Sequence, residues 1–254
     1  MKITPPAGYE QIAPLQKHHR VALPASGAAA SAFGRLHAIP IGLAEFGPAS
    51  RDYPLVFIRH PAADDFSAVA ALGLQPQQNL FVLGDGLWDR RVYLPTYVRR
   101  YPFCMSKVAV DGEDRKERIV CVEASALEDG GEALYDKRGE PLAHWRVLER
   151  LIFDYESELA RSEELCKLLG EMSLLEPFTM KAEVDGFTMQ LQGMHRVAQD
   201  KLESLHADSL RHLFEAGMMD KIYAHLLSLE NFRRLLNRRS FFAIKPPADS
   251  RELN

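Results

Sequence analysis

Between Trp88 and Phe103 the chain gathers the side chains best suited to contact: Trp88, Arg90, Arg91, Tyr93, Tyr97, Arg99, Arg100 and Tyr101. Four arginines stand against the single Asp89, giving this window a net charge of +3. In an extended strand alternate residues share a face, so Tyr93, Tyr97, Arg99, Tyr101 and Phe103 are expected to line one side. Guanidinium groups interleaved with aromatic rings can stack planar ligands or single-stranded nucleic acid. They also anchor protein interfaces, where Tyr and Arg dominate the binding energy. The plainer alternative makes the tyrosines half-buried strand residues and pairs the arginines with acids of the second half.

Other chemistry is thinly represented. Nine histidines invite a search for metal ligands, but the sequence holds no HExxH, no HxH and no His/Cys cluster. Asp208, His212 and Glu215 fall on one helical face and could supply ligands, although the same spacing serves charge pairing on an exposed helix. There is no GxSxG elbow, no GxxxxGK[ST] loop and no GxGxxG after a strand, so no catalytic residue, metal or cofactor is assigned. Cys104, Cys121 and Cys166 form an odd set without a CxxC pair and read as reduced, buried thiols. A second basic cluster, Arg233-Arg234 and Arg238-Arg239, suits a helix C-terminus. An enzyme or small-molecule site would have to be assembled from distant groups: Asp85, Trp88, Arg99, His195 and His225.

The elements that must position these groups fall into two textures. The 254 residues are 46% hydrophobic and 26% charged with a net charge of −4, an ordinary globular composition. Short apolar segments dominate residues 1–140: Leu36–Leu43, Tyr53–Arg59, Asn79–Leu83, Val92–Val98, Phe103–Val110 and Arg118–Glu123. Turn formers separate them, among them Gly84-Asp85-Gly86 and Asp111-Gly112. This half reads as a mostly antiparallel sheet. Residues 141–254 read as helices plus a β-hairpin over 178–191 turning at Asp185-Gly186. Pro141 fits a first helical position, and Leu142, Trp145, Leu148, Ile152, Tyr155 and Leu159 share one face. Ser162-Glu163-Glu164 is expected to cap a second helix that ends at Gly170. The interval 128–176 carries 13 acids and six bases, a solvated helix surface. The class is α+β, expected as one integrated domain with residues 1–30 and 246–254 partly flexible. No apolar run of about 18 residues and no N-terminal h-region is present, so no membrane span is expected and the reading is a soluble, cytoplasmic protein.

Several words of the sequence resemble the SapC family of bacterial proteins. They are Tyr53-Pro54-Leu55-Val56-Phe57, Leu72-Gly73-Leu74, Asn79-Leu80-Phe81-Val82 and Gly86-Leu87-Trp88, then Tyr93 through Phe103. The likeness continues through Asp185-Gly186 and Gly193 and closes on Ala224-His225-Leu226-Leu227-Ser228-Leu229-Glu230-Asn231. The resemblance covers nearly the whole length and implies a bacterial, surface-layer-related protein, with a peptide-transport label on some members. Genes of this kind beside those for cupin-like dioxygenases, flavin-dependent halogenases and TonB-dependent receptors imply a partner in an uptake or modification system. The resemblance brings no catalytic residues. A permease would need spanning helices and an exported subunit a signal, and the sequence offers neither. The reading is therefore a soluble, non-enzymatic accessory protein with a protein partner. Nucleic-acid binding through the arginine clusters is kept as the weakest alternative, and a homo-oligomer is left open.

Overall fold

The computed structural model describes residues 2–25, 28–60, 65–110, 113–184 and 187–244. Apolar, β-rich stretches give strands, and the long amphipathic stretches after Pro141 give helices, so the architecture is α+β. The strands are β1 (Lys2–Ile3), β2 (Ile12–Pro14), β3 (Arg20–Val21), β4 (Ala38–Pro40), β5 (Leu55–His60), β6 (Asp65–Ala71), β7 (Phe103–Val110), β8 (Glu113–Glu123), β9 (Glu132–Ala133), β10 (Leu175–Val184) and β11 (Phe187–Val197). The helices are α1 (Phe46–Ala49), α2 (Thr96–Arg99), α3 (Ala143–Glu171), α4 (Gln199–Glu203), α5 (Ala207–Glu215), α6 (Met219–Ser228) and α7 (Asn231–Ile244). One sheet runs β1-β7-β8-β2, a second runs β10-β11-β5-β6-β4, and β3 pairs with β9. The described pairings are antiparallel.

The second sheet mixes both halves of the chain, because the β10–β11 hairpin joins β5 through Met194↔Ile58 and His195↔Phe57. Its turn residues Asp185 and Gly186 lie outside the described residues, as do Asp111-Gly112 and the segment 246–254. The N-terminal arm, expected to be partly flexible, supplies β1, β2 and β3, each paired with a later strand.

Helix α3 packs on β6 of one sheet and β7 of the other. It is one helix of 29 residues rather than two. The buried stripe Ile152, Tyr155, Ser162, Cys166, Leu169 continues at helical spacing straight through Ser162, which is 3% exposed. A serine followed by two glutamates looks like a cap, but here the small side chain simply fits the buried face. Pro141 also lies outside the helix, which starts at Ala143 with Leu142 as its N-cap residue.

Two further expectations are corrected, and one strand was not expected. Val92–Val98 is no strand: after the extended Pro95 the chain turns into α2, with Thr96, Tyr97 and Val98 all buried. Asn79–Leu83 forms a loop carrying a lone bridge, Val82↔Trp88. Strand β6, Asp-Phe-Ser-Ala-Val-Ala-Ala, was hidden by its alanines, which have low strand preference yet fit closely under α3.

Two groups of buried side chains form the core. The larger surrounds Tyr53, Phe57, Phe81 and Trp88 and continues under α6 and α7. The smaller gathers Val21, Phe103, Val122, Leu134, Trp145 and Ile152.

Candidate functional site

The segment expected to present a contact face is largely folded inward, and α2 breaks its alternation. Trp88 is 3% exposed, Tyr97 2% and Arg100 3%. Arg90, Arg91 and Arg99 are exposed, while Tyr93 and Tyr101 are half-buried. The structure therefore divides the eight residues into a buried frame and an outward rim.

Two buried carboxylates organise the frame. Glu45, from the turn before α1, accepts hydrogen bonds at Oε1 from the Tyr93 hydroxyl (2.8 Å), the Thr96 N–H (2.7 Å) and the Thr96 hydroxyl (2.8 Å). Arg99 donates to Thr96 Oγ1 at 2.6 Å, bringing a cation to the edge of this cluster. Burial, then the Glu45 charge, pushes the Tyr93 phenol up to about 12. Asp89 is 2% exposed and takes two bonds from the Arg91 side chain, each 2.9 Å, one from the Arg91 N–H at 3.0 Å and one from Arg238 at 3.0 Å. These bonds, led by Arg91, hold its carboxyl well below the usual range. Arg238 also lies 4.4 Å over the Phe81 ring, which stacks on Trp88. The Trp88 indole donates to the Tyr53 hydroxyl at 3.0 Å, and that hydroxyl donates to the Tyr93 carbonyl.

Arg100 is sandwiched between the rings of Tyr97 (4.7 Å) and Tyr155 (4.8 Å) and pairs with Glu156 at 3.0 Å. Glu156 also receives Arg118. The Tyr97 hydroxyl donates to the Ala7 carbonyl at 2.6 Å, and Tyr101 packs among Tyr9 and Phe33. Removing one member of such a buried pair strands the other charge and costs about 3–5 kcal/mol.

A second buried polar set underlies the word ending in Asn231. His225, Ser228 and Asn231 recur every three residues from α6 into α7 and face the start of β5. Ser228 Oγ accepts the Leu55 N–H at 2.9 Å, and His225 Nδ1 meets the Leu55 carbonyl at 2.8 Å. The Val197 N–H donates to His225 Nε2 at 3.1 Å, so the imidazole proton sits on Nδ1 and the ring is neutral. Burial drives its pKa down to about 4. Asn231 Nδ2 donates to the carbonyls of Ser50 (2.7 Å) and Tyr53 (3.2 Å). Among the described residues β11 meets β5 at Phe57 and Ile58 and not at Leu55, so these side chains take the place of a neighbouring strand there.

The groups proposed for a dispersed enzyme site do not converge. Asp85 is exposed and accepts the Leu87 N–H at 2.9 Å within its own turn. His195 stands on β11 with its ring 5.0 Å from Phe66, while Trp88, Arg99 and His225 belong to the networks above. The larger described cavity, about 670 Å³, lies between β5–β6, the C-terminal half of α3 and α4. Arg59, Phe66, Glu163, Cys166 and Lys201 line it, and none of those five groups does. Burial pushes the Cys166 thiol up to about 12, so it is held as an unreactive thiol. Cys104 and Cys121, opposite each other on β7 and β8, are likewise raised, to about 12 and 11. Asp208, His212 and Glu215 are exposed on α5, and among the described residues no cluster of three metal-ligating side chains occurs.

Sequence reasoning passed over Glu45, Asp89, Ser228 and Asn231 as functional groups. The last two carried a signal, since polar residues three apart in an apolar helix call for buried partners.

Fold and site together define an α+β protein whose most distinctive side chains satisfy one another in the interior and leave an arginine rim outside. The chain belongs to the SapC family, whose pattern matches residues 15–235. No curated protein and no solved structure matches it. No helix among the described residues is long and apolar enough to cross a membrane.

Proposed function

We propose that this SapC-family chain is a non-enzymatic accessory protein that binds another protein through the rim formed by Arg90, Arg91 and Arg99 with Tyr93 and Tyr101. One observation carries the reading: three of the eight aromatic and arginine side chains are spent on a rigid buried frame that leaves three cations outside. Preorganised side chains lose little entropy on binding, and a guanidinium rim suits an acidic partner surface. The family name extends the proposal to service of a bacterial surface-layer, uptake or protein-modification system, in the cytoplasm.

Co-purification from the native host, with the chain and with an Arg90→Glu/Arg99→Ala variant that keeps Arg91 on the buried Asp89, tests this. A partner retained by the first, lost by the second and released by moderate salt is expected. Recovery of no partner by either, or of the same partner by both, sinks it. Tyr97 and Arg100 are unsuitable for this test because their substitution attacks the frame.

A second reading, an enzyme or small-molecule-binding protein, draws on the 670 Å³ cavity between the sheet and the helices. It requires a metabolite that raises the melting temperature, an effect reversed by Lys201→Ala. If no metabolite in a broad screen does so, that reading fails.

A further inference from the structure

Strand β10 is an open edge of the five-stranded sheet, and its distal part has an unusual arrangement of charge. Val184 pairs with Phe187 across a two-residue connection, so that pair must be the mutually hydrogen-bonded one. Alternation then makes Glu183↔Thr188 and Lys181↔Gln190 non-hydrogen-bonded pairs. The backbone N–H and C=O groups of Lys181 and Glu183 therefore point away from β11, and among the described residues no strand lies on that side. Nearer the base Pro177 has no N–H to offer, and the ladder shifts register between Phe178 and Met180, where β11 carries the extra residue. Lys181 and Glu183 supply four outward backbone groups at the distal end of this edge.

We infer that a second copy of this chain pairs with this edge, antiparallel and two-fold symmetric about Ala182. In that register Lys181 of each copy lies opposite Glu183 of the other. Both are mutually hydrogen-bonded pairs, so the four outward groups of each copy are all satisfied. Ala182 meets Ala182 at the axis, where its own polar groups already face β11. Centring on Lys181 would set lysine against lysine, and centring on Glu183 would set glutamate against glutamate. Of the three registers, only the one about Ala182 places opposite charges across the new ladder. The two sheets would then run on through the axis as one. A single charge on a strand edge ordinarily discourages pairing. Two opposite charges flanking one small residue instead select the strand's own copy.

Sedimentation equilibrium of the full chain across a concentration series tests the inference. A reversible monomer–dimer equilibrium is expected, weakened about tenfold or more by Lys181→Glu, which sets carboxylate against carboxylate at both pairs. Glu183→Lys should weaken it similarly, and the double exchange Lys181→Glu/Glu183→Lys should restore it, which separates charge pairing from damage to the hairpin. Lys181→Pro removes an outward N–H without touching the β10–β11 ladder and should abolish the dimer. A chain that stays monomeric throughout overturns the inference. So does a dimer indifferent to the exchanges and to the proline, because its interface then lies elsewhere.

Discussion

His225 holds two backbone groups that the sheet itself leaves without partners, and it can do so only as a neutral ring. Protonation would place an Nε2–H against the Val197 N–H, replacing a hydrogen bond with a clash of donors. Its pKa is lowered from the usual 6.5 to about 4, chiefly by burial. Above pH 6.5 both folded and unfolded chains carry the neutral ring, and its contribution to stability is complete. Between pH 6.5 and about 4 the unfolded chain takes up a proton that the folded one refuses, so stability falls with pH. Each pH unit in that window removes about 1.4 kcal/mol, on the order of 3 kcal/mol in all. Denaturant unfolding of the chain and of His225→Asn from pH 7.5 to 4 should show the steeper slope in the former. Equal slopes would mean that the ring is not the source. At fixed pH 7.5, Ser228→Ala leaves the Leu55 N–H buried without its acceptor and should cost about 1–3 kcal/mol.

At the scale of elements, Ser162 shows how a local signal misleads. Ser-Glu-Glu after an apolar stretch resembles a helix start, yet the buried stripe of α3 runs through it, and the buried serine hydroxyl has no hydrogen-bond partner among the described residues. An N-cap serine would cost about 1 kcal/mol to remove. A buried, unsatisfied hydroxyl costs stability while present, so Ser162→Ala should leave the melting temperature unchanged or raise it. A fall would restore the capping role. The same distinction explains what was legible in the sequence. The strands at Leu55–His60 and Phe103–Val110, the hairpin after Leu175 and the apolar face from Trp145 to Tyr155 follow from periodicity and turn chemistry. The inward turn at Pro95 does not, because it is fixed by the Thr96 N–H and hydroxyl on Glu45, 51 residues away. Nor does the difference between Arg99 and Arg100, neighbours of one type: Arg100 meets two tyrosine rings and Glu156 in the interior, and Arg99 stays at the rim. Alternation could place residues on faces of a strand, but only long-range partners decide whether a strand exists.

At the scale of the whole molecule, α3 touches both principal sheets, and the hairpin of the second half completes the sheet of the first. We propose on these grounds that the chain folds as one domain. The two tryptophans provide a direct test, since they divide between the two cores: Trp88 in the larger, stacked with Phe81, and Trp145 in the smaller, 4.8 Å from the Phe103 ring. Each can be made the sole reporter, by Trp145→Phe or by Trp88→Phe. Both substitutions preserve an aromatic ring but lose an indole hydrogen bond, to Tyr135 in one case and Tyr53 in the other. Some loss of stability is therefore expected in each. Within each variant, fluorescence should follow the loss of helical circular dichroism along one transition, with the same midpoint and slope. Because α3 supplies much of the helix and seats residues in both cores, either core melting alone would uncouple the two signals. Separate transitions in either variant would divide the chain into two folding units and remove the single-domain proposal. Coincidence in both would mean that the buried arginine frame around Trp88 is held by the stability of the whole molecule, so that the outward rim keeps its geometry as long as the chain is folded.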